Sequence, residues 1–345
     1  MSTATVNIAI ISTAHCHTQA FIDALAKTAD GRKLYAIWDD VADRGKRFAD
    51  KAGVTFVSDL DRLIADPQVH GFLICAENTR HLPLLERTLP AGKPVFCEKP
   101  LVTNREELAK VTKLVSQYGT TLFAGYYLPY DGTMRAIAAK IQAGDLGKIT
   151  HASYSNAHHA SYGHWFDSSD VAWFTNGELS GGGAFMDMGT HAVQFLRTLF
   201  GPAQSVLATI SNRSGIYPKV DDFGIAHIEF ASGVLATVEA NWICQGGRGG
   251  LEVHGSKGAI WNDGKQYVFG VPGSEPTAIA PIEARPKQVD RLIAAVRGTI
   301  AGEELRADLA ACIDAVTIME AAYASNASGS KVTLAAPGAA TARAS

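Results

Sequence analysis

The chain has 345 residues, 47% of them hydrophobic and 19% charged, and a net charge of -3 at pH 7. That length exceeds what one hydrophobic core ordinarily serves, so two domains are expected, and the absence of a basic excess excludes a nucleic-acid partner from the expectations. No apolar run reaches the roughly 18 residues of a membrane span, the N-terminal MSTATVNIAII has no leader pattern, and the scattered Cys16, Cys75, Cys97, Cys244 and Cys312 read as free thiols of a reducing compartment. A cytoplasmic protein without membrane contact is expected.

Val6 to Ile11 is a short apolar run followed by a polar turn and a helical pattern from Ala20 to Ala29. Leu34 to Trp38 is a second run, ending at Asp39, and completes a strand–helix–strand unit with an acid about 27 residues beyond the first turn. Helical patterns at Val41–Ala52, Leu60–Ala65, Leu82–Leu89 and Arg105–Tyr118 then alternate with strand-like runs at Thr55–Val57, Gly71–Cys75, Pro94–Cys97 and Thr121–Ala124. Such alternation predicts a doubly wound parallel sheet over residues 1–125.

Beyond Gly125 the pattern changes. Met134 to Gln142 reads as a helix, and Ser205–Ser211, Phe223–Phe230, Val234–Trp242 and Gly250–His254 alternate as half-buried strands between glycine-rich turns. The class predicted is therefore α/β, a Rossmann sheet followed over residues 126–334 by an α+β domain with an open-faced, mainly antiparallel sheet. Gln288–Arg297 and Ala307–Ala324 read as closing helices, and the Ala-rich tail 335–345 as disordered. A half-exposed sheet needs a cover, and a homo-oligomer, dimer or tetramer, is the simplest one.

Three stretches carry chemistry. In the first turn Ser12, Ala14 and His17 occupy the places where a dinucleotide turn spaces its glycines. The first two are small enough for a close turn, whereas His17 should push the helix from the strand or demand different packing. Asp39 at the end of the second strand could accept both ribose hydroxyls and repel a 2′-phosphate, favouring NAD over NADP, or it could cap the helix that follows. Val95-Phe96-Cys97-Glu98-Lys99-Pro100 places an acid and an amine at a strand exit, where parallel sheets bind ligands; Lys99 reads as an acid, base or charged donor, or as a loop lysine paired with Glu98. Asp187 and His191, if Phe185–Phe200 is helical, lie four apart on one face.

Asp39 with Asp43-Arg44, Ala76-Glu77-Asn78-Thr79-Arg80-His81, Glu98-Lys99-Pro100 and Gly181 to His191, in this order and spacing, resemble the Gfo/Idh/MocA family, the glucose-fructose oxidoreductase and inositol dehydrogenase group. The resemblance runs from Val6 to about Leu334 and implies a sugar or polyol oxidoreductase using NAD. It implies cofactor contacts at Ser12, Thr13, Ala14, His15, Asp39, Ala76, Asn78, His81, Glu98 and Lys99. It also implies that Lys99, Asp187 and His191 are catalytic: His191 takes the hydroxyl proton, Asp187 orients that imidazole or binds the adjacent hydroxyl, and Lys99, reaching from the first domain, holds the same oxygen. Two departures stand out, the turn without glycines and Gly125–Tyr130, which replaces the arginine many relatives carry there.

Tyr126, His164, Trp165 and Trp173 read as substrate-binding, since aromatics with short polar groups suit a sugar or polyol ring. A metal at His158, His159, His164 and Asp167 is the sharper alternative; their spacing matches no ligand signature, so no metal is expected. Within the enzyme class, a retained NAD could instead drive elimination or glycoside cleavage by transient oxidation. A non-catalytic dinucleotide or sugar binder is the reading from another class, motivated by Ser12, Ala14 and His17.

Overall fold

A computed structural model describes residues 4–26, 29–247 and 249–335. The chain forms two compact units, the first of residues 1–126, 166–181 and 286–313, the second of 127–165, 182–285 and 314–345. Two segments that lie far beyond residue 125 in the chain thus pack with the first unit.

The first unit holds six strands, β1 (Val6–Ile11), β2 (Arg32–Trp38), β3 (Thr55–Phe56), β4 (Gly71–Ile74), β5 (Val95–Cys97) and β6 (Leu122–Ala124), in the order β3-β2-β1-β4-β5-β6. Every neighbouring pair is parallel. Parallel strands covered on both faces must be apolar almost throughout, and Ile8, Ala9, Ile10 and Ile11 of β1 are fully buried. The order reverses between β1 and β4, so the turn after β1 and the exits of β2, β4 and β5 gather at one edge.

Side chains from both sequence halves fill the core of this unit. Phe21, Phe96 and Phe123 stack edge to face with centroids 5.5 and 5.6 Å apart, each pair adding about 0.5–1.5 kcal/mol beyond burial. Val289, Leu292 and Ile293 of the helix Val289–Val296 join the same core. Asp30 holds Arg297, at 3.2 Å, and Arg32, whose guanidinium also pairs with Asp290.

In the second unit nine strands form one mixed sheet: β7 (Ile149–Ala157), β8 (Ala203–Ser211), β9 (Phe223–Phe230), β10 (Leu235–Asn241), β11 (Gly250–Gly255), β12 (Ala259–Asn262), β13 (Tyr267–Gly270), β14 (Thr277–Ala278) and β15 (Val332–Thr333). Their order is β14-β13-β12-β11-β7-β10-β9-β8-β15, and only the β7–β10 pair is parallel. Alternate residues such as Val206, Ala226, Ile228, Val238, Ala152 and Val253 are buried, while Leu207 and Leu235 on the other face stand exposed. The open-faced sheet therefore follows from period-two patterning.

Local boundaries differ from the sequence reading in instructive ways. The first helix starts at Thr18, where the Thr18 hydroxyl donates to the His15 carbonyl, and is described to Ala26; its expected end falls at residues 27–28, outside the described residues. The last helix runs from Gly302 to Ser328, longer than its apolar stretch suggested. β7 carries polar His151, Ser153 and Ser155 on its more open side and so gave a weak apolar signal. Residues 336–345 of the tail expected to be disordered lie outside the described residues. All five cysteines are free thiols, and among the described residues no helix is long and apolar enough to cross a membrane.

Candidate functional site

The β1 turn keeps a glycine-like backbone without glycine. Ser12 adopts φ 64°, the left-handed region that favours glycine. Ala14 is buried, and its carbonyl accepts a hydrogen bond from Trp173 Nε1 at 3.0 Å. His17 does not wedge the helix from the sheet: its ring turns aside, 42% exposed, with Nδ1 3.0 Å from Glu98 Oε1. The packing conflict expected at the third place is solved by side-chain direction.

Asp39 organises the turn from β2. Its Oδ2 accepts from Thr13 N (2.8 Å), Thr13 Oγ1 (2.5 Å) and Arg44 Nε (3.0 Å), and its Oδ1 from Val41 N and Arg44 Nη2, both at 2.8 Å. Burial pulls this carboxyl upward, but the bonds from Arg44 and Thr13 outweigh it and hold it below the usual carboxylate range. Val41, not Asp39, is the N-cap of the helix Ala42–Ala52, although Asp39 holds the Val41 amide. Arg44, buried between Asp39 and Glu77, is a site feature that the sequence reading left without a role of its own.

At the β5 exit Glu98 and Lys99 are both buried, and the Lys99–Pro100 peptide is cis. Burial alone would raise the Glu98 carboxyl; His15, His17 and Lys99 outweigh it and hold it far below its usual range. A Cβ at Gly125 would come within 2.5 Å of Glu98 Oε2, so the glycine is what lets the carboxylate sit there. Ala76 and His81 act from beneath: His81 Nδ1 and Nε2 lie 2.9 and 3.2 Å from the carbonyls of Pro100 and Ala76, and full burial pushes the imidazole pKa down. His81 thus ties the β4 exit to the Lys99–Pro100 loop. Asn78 donates to the Ser180 carbonyl at 2.8 Å, fixing the segment that follows β4.

Asp187 and His191 belong to the second unit. The segment opens as a π-helix, Phe185–Gly189, before continuing as the α-helix Thr190–Phe200, which departs from the continuous α-helix assumed from spacing. π-turns form where other groups take over backbone donors, and they concentrate at functional sites. Here Asp221 Oδ1 accepts from Gly183 N (2.9 Å), Asp221 Oδ2 from Phe185 N (2.8 Å), and Tyr323 Oη from Met186 N (3.1 Å). Tyr323 in turn donates to Asp221 at 2.9 Å. Burial lifts the Asp221 carboxyl above its usual range, and burial together with Asp221 lifts the Tyr323 phenol well above its own.

Asp187 Oδ2 accepts from the fully buried Trp242 Nε1 at 3.0 Å. The His191 ring lies 5.3 Å from that of Tyr127, a half-exposed neighbour that the sequence reading passed over in favour of Tyr126. Tyr126 itself is buried in the first unit. Trp165 is 48% exposed and packs on His158 and His159 at 4.8 and 4.9 Å, and the exposed His164 lies 6.4 Å from Tyr217. Trp173 is buried beside the first turn and belongs to the first unit. The four residues expected to share a substrate surface are therefore divided between two units. Asp221, Trp242 and Tyr323 gave no local signal, because each acts through a partner at least 36 residues distant.

Fold and site together define a two-part α/β protein whose first unit is a dinucleotide-binding domain. A family profile described as oxidoreductase family, NAD-binding Rossmann fold, matches residues 6–126, and one described as GFO/IDH/MocA C-terminal domain matches residues 134–261. The chain belongs to the Gfo/Idh/MocA family and is an NAD-binding oxidoreductase. It is 25% identical over 239 residues to 1,5-anhydro-D-fructose reductase of Ensifer adhaerens, covering 67% of this chain and 68% of that protein. It is 27% identical over 244 residues to myo-inositol 2-dehydrogenase of Thermotoga maritima, covering 69% and 70%. Among solved structures, levoglucosan dehydrogenase in complex with NADH and levoglucosan aligns with a TM-score of 0.79 at 21% identity, covering 96% of this chain and 100% of that one, a likeness of fold.

Proposed function

We propose that the protein transfers a hydride between NAD and a hydroxyl or keto carbon of a sugar, polyol or related cyclic alcohol. The observation that carries the reading is that Asp187, held by Trp242, and His191 stand on one segment of the second unit, whose start the Asp221–Tyr323 brace fixes, in a chain whose first unit is an NAD-binding domain. The relatives named as acting on anhydrofructose and inositol support the substrate class.

The residues present fit a dinucleotide. Ser12 supplies the left-handed turn, Ala14 the small second position, and Asp39 the acid at the end of β2. Ser12, Thr13, Ala14, His15, Asp39, Ala76 and Asn78 would hold the cofactor, with Glu98 and His81 fixing the loop that carries Lys99. Bound NAD supplies the hydride acceptor or donor. His191 takes the proton of the substrate hydroxyl, Asp187 holds that imidazole or an adjacent hydroxyl, and Lys99 stabilises negative charge on the reacting oxygen. Tyr127, Trp165 and His164 would offer ring faces and polar edges to the substrate.

With NAD and a panel of cyclitols and sugars, stoichiometric NADH release on one of them is the expected outcome. Product without net NADH would move the reading to retained NAD driving elimination or glycoside cleavage, and calorimetry that detects neither NAD nor NADP binding would leave only a non-catalytic protein.

NAD is the preferred cofactor in this reading, because the Asp39 carboxylate is ionised and neutralises Arg44. Asp39→Ser removes that negative charge and leaves Arg44, still paired with Asp40 and Glu77, with spare donors for a 2′-phosphate. The ratio of NADP to NAD affinity should rise about tenfold or more, roughly 1.4 kcal/mol or greater. Titration of both cofactors measures it, and an unchanged ratio would show that Asp39 does not set the preference.

A further inference from the structure

One cluster at the first turn goes beyond hydride transfer. The ligand-type atoms of His15, Cys16 and His17 all lie within 4.8 Å of one another. Cys16 Sγ is 3.9 Å from His15 Nδ1. Glu98 Oε1, from the β5 exit, is 3.0 Å from His17 Nδ1 and 3.8 Å from His15 Nδ1. We propose that this turn binds a divalent cation of the Zn²⁺ class through the His15 and His17 imidazoles and the Cys16 thiolate, with Glu98 holding the His17 ring from outside the ligand set.

The donor geometry is close to what such an ion requires. A tetrahedral zinc with bonds of about 2.0–2.3 Å spaces its ligands about 3.3–3.8 Å apart, and the 3.9 Å between Cys16 Sγ and His15 Nδ1, in a group whose atoms all lie within 4.8 Å, needs only side-chain rotation to reach that. His15 Nδ1 accepts the His17 backbone N–H at 3.2 Å, a bond that an ion taking the same lone pair replaces. The Cys16 thiolate offsets part of the divalent charge, and the buried Glu98, which already pairs with both imidazoles, offsets more. Two nitrogens and a sulfur select a borderline-soft ion over Mg²⁺ or Ca²⁺, which prefer oxygen. Exposed Cys16 and the 42% exposed ring of His17 provide the route in.

The histidines first suspected as ligands form no such group. His158 and His159 instead pack on Trp165, and Asp167 belongs to the other unit. The sequence hides this candidate because three consecutive ligands match no familiar spacing, and the carboxylate that holds His17 lies 81 residues away.

The test is cobalt titration of the full chain after chelator treatment. The expected result is a near-ultraviolet thiolate-to-cobalt absorption that saturates at one equivalent and is bleached by Zn²⁺. Cys16→Ser abolishes that band, while Cys244→Ser keeps it. His17→Ala weakens cobalt binding by at least about tenfold, the cost of losing even an outer-sphere partner. Circular dichroism confirms that each variant is folded. No thiolate band in the wild-type chain at excess cobalt, or a band that survives Cys16→Ser, overturns the proposal.

Discussion

Replacing His191 by asparagine lowers turnover about 10²–10⁴-fold, the usual contribution of a positioned acid–base group, and leaves NAD affinity unchanged. The imidazole is buried beside Tyr127 on a rigid helix that belongs to the second unit, so its loss removes a proton acceptor without touching the dinucleotide turn. In the proposed reaction Lys99→Ala lowers turnover for a different reason, by withdrawing a charged donor. If both residues act in one step, the double variant falls well short of the product of the single effects, because groups acting as a unit are not additive. Steady-state kinetics on the four proteins measures this. Turnover retained in His191→Asn would remove the histidine from the mechanism, and strictly multiplicative losses would separate the roles of the two residues.

Gly183→Ala should destabilise the fold more than any single change at the candidate site. An added Cβ would stand 1.9 Å from the Asp221 carbonyl oxygen and 2.7 Å from its nitrogen, and neither backbone atom can move without breaking the brace at the π-turn. Asp221→Ala attacks the same brace from the other side, leaving the Gly183 and Phe185 amides and the Tyr323 hydroxyl without their acceptor. At about 1–3 kcal/mol for each unsatisfied buried donor, the loss is about 3 kcal/mol or more, a large part of the roughly 5–15 kcal/mol that holds a domain together. Denaturant unfolding reads both variants. A Gly183→Ala protein within about 0.5 kcal/mol of wild type, the range of an ordinary surface change, would show that the loop relaxes freely and that the brace is not required.

These two experiments probe different kinds of residue. His191 and Lys99 were visible in the chain because ionisable groups at a strand exit and in a helical i, i+4 pair carry their own signal. Asp221, Trp242 and Tyr323 were not, since an acid, an indole and a phenol far apart in sequence acquire meaning only when folding aims them at one backbone segment. Tyr127 shows the same limit at shorter range. Two adjacent tyrosines are equivalent in the sequence, and tertiary packing alone buried Tyr126 and set Tyr127 against His191.

What the sequence alone determined is everything that depends on local periodicity. The apolar runs and the helices between them specified the parallel sheet and its order of appearance, and alternation at period two specified an open-faced sheet after it. Even the edge at which the strand exits gather was legible, because the strand order sets it whatever the side chains. Only the tertiary structure decided how the turn works without glycine, with Ser12 held at φ 64° and His17 swung toward Glu98. It likewise decided that residues 166–181 and 286–313 join the first unit, and that the Asp187 segment opens as a π-turn. The physical reason is common to all three: each is set by partners distant in the chain, whose burial and hydrogen bonds outweigh the local preference of the residues they fix.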